Sequence, residues 1–352
     1  MTRRRPLPLL VLAAVAVLAA SCSSDGSDGA SGRSTTTAAR PGAVRAANPS
    51  SGCDAAAPKA GLSVVKVQSG GRERTYVRYV PKGLKADEPA PLVIDFPAYS
   101  PASMEEGFSG LTKPDAEHHV PADQAGAVVV TPEPVNGSGA LLTWNYVGTP
   151  GWTDDQAFTT AVLDDVQADV CTDTARVLAT GFAVGAVFAS IYTCDHADRI
   201  AVLATVSGLY SPAGCDPSKV VPVISFHGTG DRFVPYDGGV GTGPASLGLT
   251  PETIAGLVFM TDRPGAVASS TAWADHDGCG AEPAESTVND RVTRQVWNGC
   301  RNGSTVELFT IAGGEHTWPG STGMTAYEGL LGPVSDAVDA TDLILDFFAT
   351  HT

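Results

Sequence analysis

Three groups of residues in this chain have the types and order of acyl-transfer chemistry. The first is Gly181-Phe182-Ala183-Val184-Gly185. It follows a short apolar run, Arg176 to Thr180, and opens a helix-like apolar run, Ala186 to Tyr192. Glycines in that setting let strand and helix pass closely at a sharp turn, so that the middle side chain stands above the sheet. A serine there is a nucleophile; the residue is Ala183, whose methyl group cannot attack a carbonyl. The second group is Phe226-His227-Gly228-Thr229-Gly230-Asp231, which puts Asp231 just past the end of an apolar strand, where α/β sheets carry their chemistry. The third is Gly313-Gly314-Glu315-His316-Thr317-Trp318-Pro319-Gly320, a glycine-rich loop after the last strand, from which His316 can swing over the turn. In such a site the histidine takes the nucleophile's proton, and the carboxylate orients the ring and stabilises its charged form. Taken singly, an aspartate after a strand is a turn residue and a loop histidine is merely solvated. Their order after the right elements makes a triad-type site that lacks its first member.

The elements needed to position these residues are legible as alternating patterns. A hairpin comes first, Ser63 to Gln68 and Arg74 to Val80 around Gly70-Gly71. Short apolar runs follow at Leu92 to Phe96, Ala127 to Thr131, Arg176 to Thr180, Ile200 to Val206, Val221 to Phe226 and Thr305 to Ile311. Continuous apolar runs rather than strict alternations are expected of parallel strands buried on both faces. Helical patterns cover Asp154 to Val170, Val184 to Thr193 and Val334 to Ala349. The fold class expected is α/β: a mostly parallel central sheet with helices on both faces.

The N-terminus reads as a targeting segment, with Arg3 to Arg5 as its positive region and Leu9 to Ala20 as a short apolar core. Residues 1–22 end in Ala19-Ala20-Ser21-Cys22, which resembles a bacterial lipobox and implies a lipid on Cys22; the plainer alternative is an ordinary signal peptide with an incidental cysteine. Residues 23–52 are dominated by Ser, Gly, Asp, Thr, Ala and Pro with almost no large apolar residue, the composition of a flexible spacer. Residues 53–352 suffice for one large domain. The expected location is outside the cell, either on the outer face of the membrane through the lipid or free. Removing the three signal arginines from 22 basic residues leaves 19 against 38 acidic ones, a net charge of −19, which makes nucleic acid a poor partner.

Seven cysteines divide into Cys22 and six others. An even number in an exported chain implies three disulfides. Fifteen connectivities are possible; the expected one pairs Cys194–Cys215 and Cys279–Cys300, which are close in sequence, and leaves Cys53–Cys171. No Cys or His spacing points to a metal, and His118 and His119, being adjacent, diverge too much to chelate one ion.

The order nucleophile slot, acid, histidine is that of the α/β-hydrolases. Gly-Phe-Ala-Val-Gly-Ala, the segment His227 to Gly239 and Gly-Gly-Glu-His-Thr-Trp-Pro-Gly resemble secreted polyhydroxybutyrate depolymerases and feruloyl or acetylxylan esterases over about residues 60–350. Thr143-Trp144-Asn145, Asp154-Asp155-x-x-Phe158 and the paired Asp277-Gly278-Cys279 and Asn298-Gly299-Cys300 are further echoes. The resemblance implies cofactor-free hydrolysis of short-chain or aromatic carboxylic esters. It implies Ala183 in the nucleophile slot, Asp231 as acid, His316 as base, and Trp144 and Trp318 as substrate-facing aromatics. The chain departs from the family a second time at Asp95-Phe96-Pro97-Ala98-Tyr99-Ser100, where the family has His-Gly after a strand. Backbone N–H groups there complete an oxyanion hole. Pro97 has none, which leaves Val184 and Tyr99 as candidate donors.

Two changes at separate catalytic segments point to decay or repurposing; a single engineered exchange would leave Pro97-Ala98 unexplained. Three readings stand. One is an impaired hydrolase that binds a small or polymeric ester or glycan ligand. The second is an active esterase using an unrecognised nucleophile or water activated by His316 and Asp231. The third is a structural or protein-binding envelope protein, which requires a filled cleft beside Ala183.

Overall fold

The structure is a computed structural model and describes residues 46–98, 107–138, 141–145, 148–211, 214–215, 218–247 and 263–352. Cys22, Tyr99, the targeting segment and most of the spacer lie outside the described residues.

Strands β1 (Gly61–Ser69) and β2 (Arg72–Val80) form the opening hairpin, turned by Gly70 and Gly71 at φ 59° and 75°. Next come β3 (Ala90–Phe96), α1 (Pro121–Ala125), β4 (Val128–Pro132) and a small hairpin of β5 (Asn136–Ser138) and β6 (Leu141–Thr143). Helix α2 (Asp155–Asp169) leads into β7 (Thr172–Phe182), α3 (Val184–Asp195), β8 (Val202–Val206) and β9 (Val223–Gly228). Then follow α4 (Ala266–Asp277), β10 (Ala284–Asn289), β11 (Val292–Trp297), β12 (Val306–Ile311), the short α5 (Glu328–Leu331) and α6 (Ala340–His351).

Ten strands make one sheet in the order β1-β2-β4-β3-β7-β8-β9-β12-β11-β10. The six from β4 to β12 in that order are mutually parallel, and the two ends are antiparallel. The parallel strands are buried along most of their length, which is why they read as apolar runs. Alternate residues feed two cores: Leu92, Ile94, Val177 and Ala179 meet α2, α3 and α4, while Val93, Leu178, Val202 and Ile224 meet α1 and α6. This is the α/β-hydrolase arrangement, with helices on both faces.

Two boundaries differ from the sequence reading. The folded body takes in residues 46–52, assigned above to the spacer. Ser50 exchanges hydrogen bonds with Thr172 and Val170, and Asn48 with Asp173 and Thr174, so this segment docks onto the start of β7. The last helix begins at Ala340 rather than Val334. Asp339 caps it by accepting the Thr341 and Asp342 amides, and Ser335 O is spent on Gly320 N–H, holding 334–339 as a strap. Helix α4 and the β10–β11 hairpin were not anticipated. Three disulfides are formed, Cys53–Cys171, Cys194–Cys215 and Cys279–Cys300, which fits an oxidising compartment.

Candidate active site

The turn between β7 and α3 centres on Ala183, at φ 52° and ψ −120°. A β-carbon residue rarely adopts a positive φ, and here its neighbours enforce it. Ala183 N–H donates to Val206 O at 3.1 Å, and Ala183 O accepts from Val187 N–H at 3.1 Å to start the helix. The glycines allow the approach: a Cβ on Gly185 would stand 2.1 Å from Phe96 O, and one on Gly181 would stand 2.7 Å from the Gly185 carbonyl carbon. Val184 opens the helix, so its N–H has no carbonyl within the helix to serve.

Asp231 leaves the end of β9, and His316 lies on the loop after β12. The two loops are clamped together: Gly230 N–H donates to Gly314 O at 2.9 Å and Gly313 N–H to Thr229 Oγ1 at 2.8 Å. Gly228 packs so tightly on Gly314 that a Cβ would meet its carbonyl oxygen at 2.1 Å. His316 Nδ1 hydrogen-bonds Asp231 Oδ2 at 2.8 Å, and Asp231 Oδ1 accepts the Phe233 and Val234 amides at 2.9 and 2.8 Å. Burial pushes the Asp231 carboxyl up, but the His316 and His227 rings and the Val234 amide outweigh it, and its pKa falls to about 2. The carboxylate therefore holds Nδ1 and leaves Nε2 as the site for proton exchange.

The ring is also fixed sideways. Phe182, next to Ala183, packs at 4.6 Å between centroids, and Phe233 stacks at 4.9 Å. Beside the elbow is a narrow slot whose water-accessible space is only about 10 Å³, lined by Ala183, Val184, Val187, Phe233, Val234, Gly239 and Arg263. Neither Ser190 nor Thr180 stands in for a serine at the elbow tip. Ser190 Oγ donates to Ala186 O inside α3, and Thr180 is buried within β7.

Trp144 and Trp318, expected to face substrate, are core residues at 0% and 1% exposure. Trp144 stacks on Phe188 at 4.6 Å, and its Nε1–H donates to Pro97 O at 2.8 Å; Trp318 Nε1–H donates to Thr341 Oγ1 at 2.9 Å. Both tie down loops that border the site. The Asp154-Asp155 motif likewise has a framework task. Asp154 caps α2, while buried Asp155 accepts from Arg74, Asn136 Nδ2 and the Asn145 amide. Arg74 also lies over the Phe158 ring at 3.8 Å.

His227 is buried and pairs through Nε2 with Val234 O at 2.8 Å. Burial lowers its pKa to about 4 against the pull of Asp231, so at neutral pH it is an uncharged donor that braces the Asp231 loop. Sequence reasoning missed Arg263, since nothing in its surroundings signals a buried cation. Among the described residues no group of three or more His, Cys, Asp or Glu side chains could hold a metal ion.

The sheet order and the sharp turn between β7 and α3 are those of the α/β-hydrolase fold. No family model matches the chain. It is 28% identical over 244 residues to feruloyl esterase B of Piromyces equi, a match covering 67% of this chain and 41% of that protein. It is 27% identical over 290 residues to NocK of Nocardia uniformis subsp. tsuyamanensis, which carries the name of an esterase, with 79% of each chain covered. Among solved structures, acetyl xylan esterase from Aspergillus awamori aligns with 82% of this chain and 99% of its own, at 12% identity and a TM-score of 0.49. The chain is thus similar in sequence to esterases over most of its length. It spans less than half of the Piromyces protein.

Proposed function

We propose that this protein is an exported, lipid-anchored relative of the feruloyl esterases and polyhydroxybutyrate depolymerases that binds an ester, polyester or glycan ligand without serine-type turnover. The observation that carries the reading is Ala183 at the elbow beside an intact Asp231–His316 pair. Losing the serine of a comparable triad costs about a million-fold in kcat, leaving roughly 1,000 to 10,000 over water. Pro97 adds to the loss. Its carbonyl is bound by Trp144 and it has no N–H, so one expected oxyanion donor is absent. Such a donor is worth about 100- to 1,000-fold in kcat.

The intact pair also supports a second reading, in which His316 Nε2 takes a proton from a water that attacks the ester. Parent protein assayed on 4-nitrophenyl acetate and butyrate separates the two. The binding reading expects no hydrolysis that His316→Ala removes; hydrolysis that His316→Ala abolishes favours the water mechanism. The anchor has its own test. Mass spectrometry of the membrane fraction should find a diacylated Cys22, and Cys22→Ser should release the protein or leave its signal segment attached. An unmodified N-terminus starting elsewhere removes the anchor.

A further inference from the structure

Arg263 is a buried cation that the triad-type chemistry leaves without a task. Its side chain is 5% exposed and lines the slot with Ala183, Val184 and Phe233. Its place is fixed: Arg263 O accepts from Gly239 N–H at 2.9 Å, and Nη2 donates to Pro235 O at 2.8 Å. Yet, among the described residues, Nε and Nη1 are buried with no hydrogen-bond partner. Burial lowers the guanidinium pKa to about 10, opposed by Asp231, so the group remains a cation at neutral pH. Asp231, the carboxylate whose charge it feels, is already engaged by His316 and by the Phe233 and Val234 amides. Buried charged donors left unpaired are costly, and arginine is the side chain that best matches a carboxylate. The positive end of the 12-residue helix α3 opens onto the same slot at Val184, and the other walls are largely apolar.

We infer that the slot beside Ala183 is a binding site for a small carboxylate, held by Arg263 and the N-terminus of α3. The inference rests on the elbow being a retained ligand site, and it narrows the ligand to one that presents a free carboxylate to Arg263. An ester carbonyl brings no net charge to a buried guanidinium, whereas the acid does.

Isothermal titration of the full chain with acetate, acetamide and ethyl acetate tests this. Acetate should bind at least tenfold more tightly than acetamide. Arg263→Gln should lose at least tenfold of the acetate affinity while leaving acetamide unchanged, with Arg263→Lys between the two. Should Arg263→Gln not fold, the acetate-to-acetamide ratio of the unaltered protein decides alone. Equal binding of all three ligands overturns the carboxylate assignment and leaves the cleft reading standing. Binding of none of the three overturns both. Acetate affinity unchanged in a folded Arg263→Gln protein overturns the role of the arginine.

Discussion

His316 Nδ1 and Asp231 Oδ2 stand 2.8 Å apart, as they would in a working acid–base pair, although the elbow they serve carries a methyl group. Asp231 spends its other oxygen on two backbone amides, so the ring it holds is set by the loop rather than by a ligand. In an Ala183→Ser background, Asp231→Asn should therefore return ester hydrolysis to the parent level. The loss of the corresponding carboxylate in a serine protease costs about 10⁴-fold. Initial rates on 4-nitrophenyl butyrate would show it. A double variant as fast as Ala183→Ser alone would mean that the pair does not act as a unit.

His227 makes stability depend on acid. Its folded pKa of about 4 lies below the ordinary histidine value of about 6.5. The unfolded chain thus binds a proton that the folded one does not between those values, and stability falls as pH drops through that window. The slope is about 1.4 kcal/mol per pH unit for one such group. Asp231, held at about 2, contributes stability that is complete above about 4 and lost as pH falls towards 2. Urea unfolding from pH 7 to pH 4 should show a shallower decline for His227→Gln than for the parent. Parallel curves would contradict the burial of a neutral ring.

Gly185 is where the elbow touches the segment after β3. A methyl group there would meet Phe96 O at 2.1 Å and Pro97 O at 2.5 Å, both backbone atoms that cannot rotate away. Gly185→Ala should cost about 2 kcal/mol or more, in the upper part of the overpacking range. Chemical denaturation measures it, and a loss below about 0.5 kcal/mol would mean that the two segments are not in this contact.

The Cys194–Cys215 bond closes a loop of 21 residues and joins the end of α3 to the region before β9. Replacing both cysteines with serine should lower unfolding free energy by about 3 kcal/mol in the chain-entropy description. Equal midpoints for the parent with and without reductant, under conditions shown by thiol titration to open this bond, would contradict the prediction.

The central strands and the elbow were legible because burial on both faces demands apolar runs, and a close strand–helix crossing demands glycine. β10, with the sequence Ala-Glu-Ser-Thr-Val-Asn and nearly every side chain exposed, carries no such signal. Helix α4 is built largely of small and polar residues, so it lacks an apolar stripe. The C-terminal helix was drawn too long because apolar residues at 334 and 338 continue its pattern, whereas Asp339 sets its start through its side chain. Trp144 and Trp318 show a different limit. Residue type alone does not separate an aromatic that meets a ligand from one that anchors a loop, and here the indole N–H partners decide it. Arg263 was invisible because only the folded chain reveals that its charge is enclosed.

The central claim is that the scaffold lacks a nucleophile but keeps the machinery that would activate one. The direct measurement is hydrolysis of 4-nitrophenyl butyrate by Ala183→Ser beside the parent protein, each with and without His316→Ala. The serine hydroxyl would stand at the elbow tip with its base already oriented by Asp231. A rise of at least tenfold over the parent, abolished by His316→Ala, is the predicted result. A folded serine variant no faster than the parent, or a parent equally fast through His316, would contradict it.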